Sequence, residues 1–519
     1  MKPVRLITGF LTVGGWTLAS RVLGFARDIV MASTLGSGPV AEAFLIAFAL
    51  PNMFRRFFAE GALNMAFVPL FAKKLEVGED ALPFARDAAS ALAALLVVLC
   101  LLAQVVMPWL VWAMASGFAG DVRFSLAVTY GRIAFPYILF ISMAAILSGI
   151  LNAVGRFSAA AAAPVVLNVL FLSAVALALR LDWPLGDTLA WTVPLAGIAQ
   201  MALLWFAARR AGYTLWPRRP RVTPDLRRLA WIAGPALLAG GVSQVNLLVG
   251  RQIASFYDGA VAWLSYADRL YQLPLGVVGI AIGVVLLPDL ARRLRAGDAA
   301  GGRESLNRAG EFALALTVPA ATALAVIALP LIQTLFQRGA FTPADAQLTA
   351  LALATYALGL PAFVLHKVLQ PLFYAREDTG RPFHYALVCL VVNLALAIGL
   401  MPTAGFLAAP IAMSGAAWVM VILLWRGSRH MGEAAQMDDR LRHRLPRILA
   451  ASAVMGVALA VVAALLAPAL ADHALRYAAL LALVILGSVS YFGIGTALGA
   501  FRLTEFRAAL RRSGPKPVS

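Results

Sequence analysis

Fourteen apolar runs, each about as long as a bilayer is thick, follow one another along this chain of 519 residues and constrain its fold more than any other feature. They lie near 7–31, 40–70, 88–115, 126–151, 158–179, 187–208, 229–255, 260–291, 311–335, 347–375, 384–402, 406–425, 447–470 and 475–501. The second and eighth runs are long and are interrupted at Pro51 and Pro274. Runs of this length read as helices, so the expected fold class is an all-α polytopic membrane protein with about fourteen transmembrane helices. A composition of 61% hydrophobic and 13% charged residues excludes a soluble enzyme. Lys2 and Arg5 ahead of an apolar run imitate a signal peptide, but charge from Arg21 onward and the lack of a small-residue cleavage pattern make it an uncleaved first span.

The net charge of +18 invites a nucleic-acid reading, and its distribution argues against one. Cations collect in the loops after even-numbered runs: Lys73 and Lys74, Arg156, the cluster from Arg209 to Arg228, Arg292 to Arg295, Arg376 with Arg381, and Arg440 to Arg447. Loops after odd-numbered runs, such as 36–38, 182–184, 258–259 and 402–405, hold few. By the positive-inside rule both termini are expected in the cytoplasm. Cys100 and Cys389 sit inside apolar runs far apart in sequence and read as buried small residues, with no disulfide framework.

The first run is interrupted by charge: Ser20-Arg21-Val22-Leu23-Gly24-Phe25-Ala26-Arg27-Asp28. On a helix, Thr17, Ser20, Arg21, Gly24, Arg27 and Asp28 share an arc of about 120°. A charge at the bilayer centre costs about 2.5–3.5 kcal/mol on insertion scales, so this stripe is expected to face a wet cavity inside a bundle. The bland alternative places Arg21 and Asp28 in structural ion pairs. The second run adds Glu42 near its outer end, then Arg55, Arg56 and Glu60, with Arg56 and Glu60 one helical turn apart. The seventh adds Arg251 among Gln244, Asn246 and Gln252, and the eighth adds Asp268 and Arg269. Asn168, alone in the fifth run, reads equally as a helix-to-helix hydrogen bond or a ligand contact.

Arg21, Arg27, Arg55, Arg56, Arg251 and Arg269 therefore outnumber Asp28, Glu42, Glu60 and Asp268. Surplus guanidinium suits an anionic ligand, above all a phosphate or diphosphate that takes forked contacts. For the Arg55/Arg56 and Asp268/Arg269 pairs the plain alternative is anchoring at the membrane interface. No phosphate-binding G-x-x-x-x-G-K-[ST] occurs, so the chain carries no ATPase motif of its own, and no cofactor is expected. The five histidines are scattered and form no metal-ligand cluster, so no metal is expected; nor is there a catalytic constellation with serine.

The sequence also repeats. Pro69 to Leu75 closes the second run much as Pro288 to Leu294 closes the eighth. Pro136 and Gly155-Arg156 in the fourth run match Pro361 and Gly380-Arg381 in the tenth, at one offset of 225. Gly24 and Arg27 have a looser echo in Gly250 and Arg251. Six spans separate the partners, so the halves share one orientation and are related about the membrane normal. The expected division is a six-helix lobe over 1–225, a second over 226–430, and two additional helices over 446–505, with a central cavity between the lobes.

At these residues the chain resembles the MurJ (MviN) family, lipid II flippases of the MOP exporter superfamily. The likeness rests on Ser20 to Asp28, on Leu50-Pro51-Asn52 with Arg55-Arg56 and Phe58-Ala59-Glu60-Gly61-Ala62, on Ala66-Phe67-Val68-Pro69, on Phe135-Pro136-Tyr137 and Gly149-Ile150-Leu151-Asn152, and on Tyr266-Ala267-Asp268-Arg269-Leu270. It implies a flippase that moves the undecaprenyl-diphosphate-linked peptidoglycan precursor from the cytoplasmic to the outer leaflet of the bacterial inner membrane. It implies cationic cavity residues at Arg21, Arg27, Arg55, Arg56 and Arg269, with Asp28, Glu60 and Asp268 beside them, and a lipid-tail groove on the last two helices. Expected partners are lipid II and membrane lipids, with cell-wall synthesis proteins as candidates, no nucleic acid, and a monomeric state. Two positions depart from the family pattern: Glu42 stands where an aspartate is usual, and Ala262 where some relatives carry a polar residue. A superfamily exporter of cationic drugs would want surplus carboxylates. A flippase for another polyprenyl-diphosphate-linked oligosaccharide would share the charge and differ in the motifs. A membrane enzyme would need a catalytic cluster, and a plain scaffold would not need a charged first helix.

Overall fold

The computed structural model describes the backbone of residues 4–56, 63–216, 218–221 and 223–501. Among the described residues every regular element is helical. In chain order they are α1 (Val4–Leu35), α2 (Pro39–Arg55), α3 (Leu63–Glu76), α4 (Ala81–Met114), α5 (Val122–Ala134), α6 (Tyr137–Ala153), α7 (Ser158–Leu181), α8 (Leu185–Arg210) and α9 (Pro224–Ala254). There follow α10 (Ala260–Arg295), α11 (Ala299–Val326), α12 (Ala328–Phe336), α13 (Pro343–Ala357), α14 (Leu360–Tyr374), α15 (Gly380–Ala404), α16 (Ala408–Ser428), α17 (Asp439–Leu465), α18 (Ala467–Ala471) and α19 (Arg476–Ala497). The protein is an all-α, polytopic membrane protein.

Local chemistry sets the ends of these helices. Asp80, Asp121, Thr223, Asp298 and Asp438 each accept a hydrogen bond from a backbone amide in the first turn of the helix that follows. Pro224 occupies the first position of α9, where a missing amide proton costs nothing. Proline also explains where the expected runs break. The run at 126–151 divides into α5 and α6 at Phe135-Pro136, and that at 347–375 into α13 and α14 at Leu358-Gly359, just before Pro361. Nine helical segments among the described residues are long and apolar enough to cross a membrane. One of them, 380–428, holds both α15 and α16. The helices outside that set are α1, α2, α3, α9, α10, α12 and α18; α2 and α3 are shorter than a full span, with 17 and 14 residues, and α1, α2, α9 and α10 carry the intramembrane arginines. Trp109, Trp112, Trp183, Trp191 and Trp231 are exposed, as rings that sit at a lipid–water boundary would be. Cys100 and Cys389 are free thiols.

The helices group into two compact units, Met1–Ala262 with Arg338–Thr342, and Trp263–Gln337 with Pro343–Ser519. In the first, α1 packs on α7, α2 on α5, and α6 and α7 on α8. The α2 contact is close because Ala41, Ala43, Ala47 and Ala49 are buried small residues, and van der Waals approach, not water exclusion, joins helices in lipid. Phe67 stacks between Phe71 and Phe84, with Ile146 and Ile150 in the same core. The short segment Arg338–Thr342 is held to the first unit by main chain: the Ala340 amide donates to the Ser33 carbonyl at 2.8 Å. Gly36 and Gly339 both have positive φ there, and a Cβ on either would lie within 2.5 Å of a carbonyl oxygen across the contact.

In the second unit α15 packs on α16, α14 on α11 and α16, and α17 on α11 and α19. The last two long helices are thus anchored through α11: Ile448, Met455 and Leu459 of α17 and Leu483 and Tyr491 of α19 share a core with Ala315, whose carbonyl accepts from the Tyr491 hydroxyl at 2.7 Å. One turn before Ala315 the Glu311 carboxylate accepts from Arg440 Nε and Nη2, each at 3.2 Å, and also binds Arg308 and Arg444.

Candidate functional site

α1 carries the first charged group. Arg27 and Asp28 are both buried, each only 7% exposed. The Arg27 guanidinium donates to Asp28 Oδ1 through Nε at 3.1 Å and Nη2 at 2.8 Å. Its carbon also lies 5.4 Å from the centre of the Phe171 ring on α7. One turn earlier Asn168 of α7 donates to the Ser20 carbonyl at 3.0 Å, the helix-to-helix bond of the two alternatives for that residue. Gly24 makes the approach feasible, since a Cβ there would already stand 3.4 Å from Asn168 Nδ2. Ser20, Arg27, Asp28 and Asn168 are therefore brought together along the α1–α7 contact, whereas Arg21 on the same helix is exposed. The ion pair joins Asp28 to its neighbour Arg27. A two-nitrogen contact fixes the plane of the guanidinium, leaving its remaining edge as a donor surface.

A second group forms at the start of α2. Glu42 is 1% exposed, and its carboxylate accepts from Arg123 Nη1 at 2.9 Å and from the Val261 amide at 3.0 Å. Arg123, in the first turn of α5, also binds Asp121 through Nε and Asp258 through Nη2 at 2.8 Å, and it lies over the Phe118 ring at 4.6 Å. Burial works to raise the Asp121 carboxyl, but hydrogen bonds and charge from Arg123 outweigh it and hold the group below its ordinary value. Close by, Gln252 accepts from the Ser116 amide at 3.1 Å, and the Gly117 amide donates to Ser255 Oγ at 3.0 Å. These bonds tie the ends of α2, α5 and α9 and the start of α10 to one point. Arg123 escaped the sequence reading because it stands in the connection between two apolar runs. The pairing Asp121-x-Arg123 at a helix start was the available signal.

The other expected residues are more dispersed. Arg55 is half-buried and Arg56 exposed at the end of α2, while Glu60 lies outside the described residues. Arg251 is half-buried on α9. In the second unit Asp268 is half-buried and accepts from the Gln272 side chain one turn along α10, and Arg269 is exposed. Trp263 donates to Asp345 at 2.8 Å, which seats the start of α10 on α13.

Comparison with known proteins identifies the family. A family model described as "Lipid II flippase MurJ" matches residues 31–485. A Rhizobium meliloti protein named "Probable lipid II flippase MurJ" is 44% identical over 98% of this chain and 97% of its own length. A Burkholderia cenocepacia protein named "Lipid II flippase MurJ" is 36% identical over 88% of this chain and 90% of its own. Among solved structures, one described as "Lipid II flippase MurJ, inward closed conformation" aligns with a TM-score of 0.79 at 23% identity, covering 94% of this chain and 98% of that one. An inward-facing MATE multidrug transporter of the MOP superfamily aligns at 0.68 and 15% identity over 80% of this chain and 95% of its own, which speaks for the fold alone. A match across most of the chain to the family model and to full-length relatives is decisive: the chain belongs to the MurJ family of lipid II flippases.

Proposed function

We propose that this protein translocates lipid II, the undecaprenyl-diphosphate-linked disaccharide-peptide, from the cytoplasmic to the outer leaflet of the bacterial inner membrane. The observation that carries the reading is the 44% identity over nearly the whole chain to a relative named as a lipid II flippase. The charge pattern supports it: a diphosphate needs fixed cations in a wet site, and Arg21, Arg27, Arg55, Arg56, Arg251 and Arg269 supply guanidinium on otherwise apolar helices. Ser20, Asp28, Glu42, Glu60, Asn168 and Asp268 orient or gate them. The chain acts as a transporter that alternates access between two lobes, 1–225 and 226–430, while the helices over 446–505 offer an apolar groove to the isoprenoid tail. Fourteen crossings with both termini cytoplasmic agree with the alternation of loop charge. The test is leaflet accessibility of lipid II in cells depleted of this protein and complemented with it. Lipid II should collect on the cytoplasmic face on depletion and regain the outer face on complementation. Unchanged outer-leaflet lipid II on depletion refutes the reading.

A further inference from the structure

One face of α14 carries His366, Lys367, Gln370 and Tyr374, spaced by three and four residues, inside a span whose opposite face is apolar. That opposite face, with Val364, Val368 and Leu372, is buried in a core shared with Val278 and Leu286 of α10. His366 is occupied: it bonds the Ala362 carbonyl one turn back and meets the Phe363 ring edge-on at 6.3 Å. Lys367 is different. It is half-buried, and among the described residues it makes no hydrogen bond or ion pair, nor does Gln370.

The position of its ammonium matters. It lies against Gly279 of α10, where a Cβ would come within 2.9 Å of Nζ. α10 has no acidic residue between Asp268 and Asp289, and Asp289 is taken by Arg292, Arg293 and Ser305. Interfacial snorkelling does not describe it. Side chains on a helix lean toward its N-terminus, which points Lys367 away from the Arg376 end, and its stem crosses to a neighbouring helix. An ammonium inside an apolar span, with no carboxylate paired to it among the described residues, is costly and marks a ligand path by default.

We propose that Lys367 is a further anion contact for the cargo, within the second unit where α14 meets α10, with Gln370 as its neutral hydrogen-bonding neighbour. This rests on the flippase reading above and adds a site to it. A lysine is a compact charge on a flexible stem, without the guanidinium fork, so it follows a moving anionic oxygen and does not fix its plane. The cargo offers two sources of such an oxygen, its diphosphate and the carboxylates of its peptide.

The experiment measures binding to the purified full-length chain, and flipping in complemented cells, for wild type, Lys367→Met and Lys367→Arg. Met keeps the apolar stem, so a thermal-unfolding midpoint separates loss of a contact from loss of packing. The probes are lipid II, lipid II with amidated peptide carboxylates, and undecaprenyl diphosphate. Loss of one charged hydrogen bond predicts about tenfold weaker binding of lipid II by Lys367→Met with an unchanged midpoint, and near-wild-type binding by Lys367→Arg. A loss that disappears with the amidated probe assigns the contact to a carboxylate, and one that persists with undecaprenyl diphosphate assigns it to the phosphates. Unchanged affinity in Lys367→Met, or a loss accompanied by a lowered midpoint, overturns the proposal. A wild-type chain that binds no lipid II overturns the flippase reading itself, a separate result.

Discussion

Replacing Arg123 by alanine tests the geometry at the start of α2 most directly. Three carboxylates converge on this guanidinium, but they do not count equally. The Asp258 side chain is 91% exposed and is screened by water, so its loss is negligible. Asp121 is about a third exposed and keeps the amide bond that caps α5. Glu42, fully enclosed, would be left with the Gly259 and Val261 amides and an uncompensated charge. Removing one partner of a buried pair costs about 3–5 kcal/mol, so Arg123→Ala should destabilise by about 3 kcal/mol, nearly all of it through Glu42. The double variant Arg123→Ala/Glu42→Gln should then recover much of that loss, because a neutral amide oxygen still accepts from Val261 without a charge to bury. The assay is thermal unfolding of the four proteins of the cycle in lipid nanodiscs at one scan rate, read as a ranking of midpoints. If the single and the double variant unfold at the same temperature, the charge on Glu42 is not what Arg123 holds, and the reasoning fails.

Other outcomes follow from the same structure. Arg27→Lys keeps the charge but loses the fork, so complementation should fall sharply while expression stays level, and Arg27→Ala should fall further; full complementation by Arg27→Ala removes this residue from the diphosphate site. Asp28→Asn leaves a buried guanidinium without its anion and should lower protein level more than transport per molecule, as measured by quantitative blotting beside flipping. Glu311→Gln deprives Arg308, Arg440 and the buried Arg444 of their common anion and should lower the unfolding midpoint, with a loss of about 3 kcal/mol; an unchanged midpoint would deny the anchoring of α17. Cysteines placed at Gly38 should react with impermeant thiol reagents added outside, and those in the loop between Arg209 and Arg228 should be protected; the reverse pattern would invert the topology.

Much of the architecture was legible because the bilayer imposes so simple a rule. Apolar length gave the helices, and the few charges inside them singled out α1, α2, α9 and α10. What escaped depends on long-range contact. Periodicity set Asp28 on nearly the azimuth of Arg21, yet Asp28 forms an ion pair with the adjacent Arg27, a contact that helical spacing does not suggest. Arg123 looked like an ordinary loop cation because its meaning comes from Glu42, more than eighty residues away. Lys367 was passed over because the sequence reading weighed charges in pairs and clusters, and a single lysine in a long apolar run offers neither. Breaks at Pro136 and Pro361 were visible as prolines, but whether a proline kinks or ends a helix is decided by neighbouring packing.

The join between the α1–α2 turn and residues 338–342 has a consequence for how this protein tolerates change. Its hydrogen bond runs from amide to carbonyl, so no side chain writes it. Substitutions on both segments therefore leave this bond itself intact, although Phe341, 1% exposed, is fixed by its own packing. The exceptions are Gly36 and Gly339, where any added carbon strikes the opposing backbone. Gly117, whose Cβ would meet the Ser255 carbonyl at 2.5 Å, belongs with them. A mutational scan should therefore show these three glycines intolerant of every replacement, a pattern set by volume at single points and blind to charge or polarity.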